Sequence, residues 1–170
     1  MIPLPAVKPK ARHTERSPAM PWVVSFLVSW ALFFALVDFH TLKTHVSGGL
    51  LTLAAATLVD WGGQHLGLYK FYDLIIPWFG CSAFYIFGPV FTMGIIFSQY
   101  VPRRKWLQIL HIVMTSVFYL ALEHFIIQTP AAAYVRWHLL ASAFVDVMTL
   151  SALTWVTTTF LKKEGSSLFT

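Results

Sequence analysis

The 170-residue chain is 57% hydrophobic and 11% charged, with a mean hydropathy of +0.66, against roughly 45–50% and about 25% for an ordinary soluble domain. That surplus of apolar surface excludes a water-soluble fold and predicts one domain sitting in a lipid bilayer. Twelve Lys and Arg outnumber seven Asp and Glu, but the bases are scattered over termini and loops, which argues against a nucleic-acid surface and suits anionic lipid headgroups.

Residues 1–20 combine Pro3, Pro5, Pro9 and Pro18 with Lys8, Lys10, Arg12 and Arg16, a mixture that resists both helix and apolar burial and predicts a flexible basic tail. The first apolar run, 21–39, carries no charge before Asp38 and is long enough to cross a hydrocarbon core. It exceeds the apolar region of a signal peptide, and no small-x-small cleavage site follows, so it reads as a retained signal anchor.

The second run, 46–61, is short and rich in Gly, Ala and Thr. Small residues permit close helix contact, which predicts a central helix, with a re-entrant segment as the alternative. A turn-rich stretch follows, in which Gly63 and Gly67 have GxxxG spacing but read as loop. The third run, 74–100, is longer than one crossing requires. Its Pro77, Gly80, Gly88 and Pro89 predict an interfacial piece followed by a span kinked near Pro89.

Arg103, Arg104 and Lys105 mark a basic loop before the fourth run, 106–128, and Thr129-Pro130-Ala131 breaks the chain before the fifth, 137–161. Trp22, Trp61, Trp106, Trp137, Tyr69, Tyr100 and Tyr134 fall near run ends, where amphipathic rings prefer the headgroup zone. Residues 162–170 form a polar C-terminal tail. The expected fold is thus an all-α, polytopic transmembrane helical bundle of five spans over 21–161, or four spans plus one re-entrant segment.

Charge does not decide between them. Five spans divide the Lys and Arg six against six, with Lys8, Lys10, Arg12, Arg16, Lys70 and Arg136 on one side. Four spans give nine against three, which satisfies the positive-inside tendency better.

Ionisable groups at membrane depth are costly and therefore mark candidate sites. Those in the apolar runs include Asp60, His111, Glu123, His124, His138 and Asp146. In the fifth run His138, Ser142, Asp146 and Thr149 share one helical face, and in the fourth Ser116, Tyr119 and Glu123 do the same, with His124 about 100° further round. The two stripes are placed to face one another. Asp60, Tyr119, Glu123, His124, His138 and Asp146 thus define a candidate buried polar or proton-relay site, in which a desolvated carboxyl exchanges protons with histidine. Glu123, His124, His138 and Asp146 also have metal-binding chemistry, although no metal or other cofactor is predicted. The competing structural role is interhelical hydrogen bonding.

The lone Cys81 has no disulfide partner, no CxxC or Cys/His cluster exists, and the chain contains no Asn for N-glycosylation. GxSxG, HExxH, Walker A and GxGxxG patterns are missing too, which lowers the case for an enzyme.

Asp60 at a span end, Leu66-Gly67-Leu68-Tyr69 after it, the Pro89 helix, Tyr100-Val101-Pro102-Arg103, Glu123 and Trp137 follow one another in an order that resembles a family of small uncharacterised multi-spanning membrane proteins of spore-forming Gram-positive bacteria. The resemblance covers roughly the C-terminal two thirds, from about Leu58 onward, and the proline-rich basic tail departs from it. It implies five spans with a cytoplasmic C-terminus, which conflicts with a cytoplasmic basic tail unless the second run fails to cross. It supplies no activity.

The expected role is a multi-pass protein of the cell membrane, non-enzymatic, serving as an accessory or homo-oligomeric component among lipid and other membrane subunits. A small proton-coupled transporter or channel using the buried carboxylates and histidines is the first alternative. An intramembrane enzyme acting on lipid is the second.

Overall fold

The computed structural model describes residues 20–161. The basic tail read over 1–20 lies outside the described residues except for Met20, as does the polar tail 162–170. Five helices form the body. They are α1 (Met20–Leu36), α2 (Leu42–His65), α3 (Ala83–Tyr100), α4 (Lys105–Ile127) and α5 (Leu139–Leu161). Four of them, α2 to α5, are long and apolar enough to cross a membrane, whereas α1 is apolar but has only 17 residues.

This ranking reverses what the run lengths suggest. The second run is one continuous helix and, at 24 residues, the longest, because Lys43, Thr44, Gly62, Gly63 and Gln64 extend it beyond its apolar centre. The first run ends early. A 17-residue helix rises about 26 Å, against about 30 Å of hydrocarbon core.

Helices successive along the chain alternate in direction. At one end Tyr100 Oη donates to Leu36 O at 2.6 Å and Asp38 N to Gln99 Oε1 at 3.1 Å, which brings the C-termini of α1 and α3 together. Trp78 Nε1, just before α3, donates to Thr57 Oγ1 at 3.3 Å, so α2 runs antiparallel to α3. His111 Nε2 lies 3.2 Å from Phe97 O, and Tyr119 Oη donates to Pro89 O at 3.3 Å, which reverses α4 in turn.

The α2–α3 seam explains the glycines. A Cβ on Gly48 would stand 2.7 Å from Ser98 Oγ, one on Gly49 2.6 Å from Ile95 Cγ1, and one on Gly94 inside Thr52 Oγ1. Small residues here let two backbones touch, as in GxxxG-type helix pairs. Thr52 is satisfied within the seam, donating to Gly49 O at 2.9 Å and lying 3.3 Å from Val90 O. Pro89 does not break α3. It sits in a π-helical segment, Ile86–Val90, that absorbs the lost amide hydrogen bond.

Two features lie outside the all-α expectation. A ladder pairs β1 (Tyr69–Phe71) antiparallel with β4 (Ala132–Tyr134), in register Tyr69 to Tyr134, and a smaller one pairs β2 (Pro77–Trp78) with β3 (Cys81–Ser82). Leu68 O also accepts from the amides of Val135, Arg136 and Trp137. Loops 66–82 and 128–138 are thereby tied into a cap over one end of the bundle. Gly67, at φ +66, closes α2 as a Schellman turn, with Leu68 N donating to Gly63 O and Gly67 N to Gln64 O. Trp22, fully buried, plugs the cap from α1, edge-on to Phe71 and donating Nε1 to Tyr72 O.

The outer faces of α4 and α5 remain apolar and open. Ile109, Met114, Val117 and Phe125 on α4, with Leu140, Phe144 and Trp155 on α5, are all more than half exposed.

Candidate functional site

Beneath the cap lies a chamber of about 140 Å³, walled by α2, α4 and α5 and roofed by β1 and β4. Helical spacing delivers its polar wall. Tyr119 and Glu123, four residues apart, look inward from α4, and Ser142, Asp146 and Thr149 look inward from α5. Asp60 joins them from the last turns of α2, and Tyr69 and Tyr134 enter from the two paired strands.

Two hydrogen-bonded chains fix these groups. In the first, Trp137 Nε1 donates to Ser142 Oγ at 2.7 Å, and Ser142 Oγ donates to Glu123 Oε1 at 2.7 Å. The α4 and α5 stripes therefore meet, through a short hydrogen bond between Ser142 and Glu123. In the second, Tyr69 Oη donates to Asp60 Oδ1 at 3.0 Å and also lies 3.1 Å from Val59 O. Gly63 makes room for that ring, since a Cβ there would meet Tyr69 at 2.5 Å.

Other polar atoms are left over. Asp146 Oδ2 and Tyr134 Oη are buried with no hydrogen-bond partner among the described residues, although the Tyr134 hydroxyl lies close enough to Glu123 and Ser142 to sense both. Burial, followed by the Asp60 charge, holds the Tyr69 phenol above its ordinary range. Burial, followed by the Asp60 charge, likewise pushes the Cys81 thiol up, so it stays protonated. An unpaired buried carboxylate oxygen is expensive.

Of the six residues singled out from sequence, four share the chamber: Asp60, Tyr119, Glu123 and Asp146. The two histidines do not. His124 is exposed on the outer side of α4, with Nε2 3.5 Å from Gln128 Nε2, because one residue past Glu123 turns it about 100° away. His138 is exposed at the start of α5, where its Nδ1 accepts from Ala141 N at 3.1 Å and caps the helix. A relay running from carboxyl to histidine is therefore not assembled. Among the described residues no three His, Cys, Asp or Glu side chains are placed to hold a metal ion. His111 instead stacks on Phe97, ring centroids 4.4 Å apart.

Tyr69, Tyr134, Trp22 and Trp137 were legible only as boundary aromatics, and Tyr85 carried no signal within its run, yet all five line the chamber beside the carboxylates. The sequence signal of the first four was the clustering of Tyr and Trp at run ends, which is shared by every interfacial aromatic. Among the described residues no Lys, Arg or His lines the chamber. Compared with known proteins, the chain matches no family model, no curated protein and no solved structure.

Proposed function

We propose that the chain is a multi-pass, non-enzymatic protein of the cell membrane whose capped chamber binds a small cation. The membrane half of this reading rests on four long apolar helices and on the exposed apolar faces of α4 and α5, which water would not tolerate but lipid would. The resemblance to small multi-spanning membrane proteins agrees with it.

The cation half rests on one observation. Three carboxylates, Asp60, Glu123 and Asp146, converge on a chamber that, among the described residues, no basic side chain lines. Anionic groups at membrane depth need a counter-charge, and among the described residues none stands in the chamber, which leaves that part to a ligand or to protons. Tyr and Trp rings add negatively polarised faces worth about 0.5–2 kcal/mol each to an ammonium. The volume of about 140 Å³ far exceeds the roughly 10–15 Å³ that one water requires, so it suits a small organic ion.

Ser142 gives no support to an enzyme, because its hydroxyl is held between Trp137 and Glu123 and acts as a brace for the carboxylate. Proton exchange at Glu123 or Asp146 remains compatible with cation binding, but it runs without His124 and His138.

The test is equilibrium binding to purified protein in lipid nanodiscs. Methylammonium is titrated while tryptophan fluorescence is followed, since Trp22 and Trp137 line the chamber. Saturable binding is expected, weakened at least about tenfold by Glu123→Gln, the scale of a lost hydrogen bond to a charged group. Acetate should not bind. A folded Glu123→Gln variant with unchanged affinity, or wild-type protein that binds no cation, defeats the cation reading and leaves the accessory role.

A further inference from the structure

A second space adjoins the chamber. A second, apolar crevice of about 370 Å³ opens between α2 and α5, lined by residues that include Leu51, Ala55, Met148, Ala152 and Leu153. Thr52 and Thr149 line both spaces, so the crevice begins at the wall of the chamber. Leu51, Met148 and Ala152 are exposed on the outer surface, where the crevice opens.

Direction and chemistry then limit the occupant. On α5 the chamber carboxylate Asp146 precedes Thr149, and the crevice continues through Ala152 and Leu153 to Val156, away from the cap. Seven residues from Thr149 to Val156 correspond to about 10 Å along the helix, the reach of a medium-length alkyl chain. The two spaces together are polar, anionic and aromatic at the capped end, and apolar toward the middle of the bundle. That is the mirror of a molecule with a positive head and one hydrocarbon tail.

We propose that chamber and crevice together bind a single-chain cationic amphiphile, with its ammonium head among Asp60, Glu123 and Asp146 and its tail between α2 and α5. This inference rests on the chamber being a cation site. The head enters laterally past Thr52 and Thr149, and the tail keeps its contact with lipid throughout.

The experiment compares decylamine, decanol and butylamine on the protein in nanodiscs, with affinities expressed against the concentration in the bilayer. Decylamine should bind saturably at one per chain, decanol should fail to displace it, and butylamine should bind the same site more weakly. Ala152→Trp fills the crevice at an exposed position. It should reduce decylamine affinity at least tenfold while leaving butylamine unchanged, and Glu123→Gln should weaken both amines. Ala152→Leu, a milder filling, should give a smaller loss in the same direction if the Trp variant does not fold. Decylamine affinity untouched by either crevice variant, or equal displacement by decanol, overturns the amphiphile. Butylamine that fails to bind wild type overturns the cation chamber itself.

Discussion

The two sides of α2 are packed in opposite ways. Toward α3 it presents Gly48, Gly49 and Thr52, and the backbones meet so closely that a single added methyl on Gly94 would land on Thr52. Toward α5 it presents Leu51, Thr52 and Ala55, and a crevice of about 370 Å³ remains open. Thr52 belongs to both sides. The difference teaches that one helix both locks the bundle and leaves the entry, so the sealed seam fixes the position of the open one.

That contrast can be broken from its rigid side first. Gly94→Leu should cost about 3 kcal/mol or more, because the Thr52 side chain already occupies the space a new side chain needs; the expected readout is loss of monodisperse protein after detergent extraction. The cause can be isolated with a cycle. Gly94→Ala alone should destabilise, and Thr52→Ala beside it should recover part of the loss, giving a coupling between the two sites in denaturation midpoints.

Next in size is the cap. Tyr69→Phe removes the hydroxyl that contacts both Asp60 and Val59 O, and should cost about 1–3 kcal/mol in thermal unfolding. His138→Ala should cost about 1 kcal/mol through loss of the helix cap, with methylammonium affinity unchanged. A large loss of binding in that variant would restore the histidine to the site. The smallest effect belongs to the open side. Ala152→Leu points into the crevice from an exposed position, so its melting temperature should match wild type within the equivalent of about 0.5 kcal/mol.

The sequence made the stripes legible because helical spacing is a local property. Ser142, Asp146 and Thr149 had to share one face of α5, and Tyr119 and Glu123 one face of α4. The same arithmetic placed His124 about 100° from Glu123, and the structure turns it outward. His138 shared the α5 stripe on paper, yet α5 begins one residue later, and a capping residue leaves the helical path.

The roof was not legible. A three-residue strand such as Tyr69–Phe71 is too short to show alternation, and its partner lies beyond two intervening helices, so pairing with Ala132–Tyr134 had no local signal. Apolarity alone misjudged the helix lengths. Leu42–His65 carries polar residues at both ends that packing and capping keep helical, while 21–39 lost its last residues to the turn built on Asp38.

The chamber's charge preference is open to direct observation. Crystals or frozen particles of the protein soaked with bromoethylammonium should show the bromine's signal inside the chamber, beside Glu123, Asp60 and Asp146. Bromoacetate in the same experiment should leave the chamber without that signal. Bromoacetate found there instead, or a bromoethylammonium signal only on the outer surface, would contradict a cation site beneath the cap.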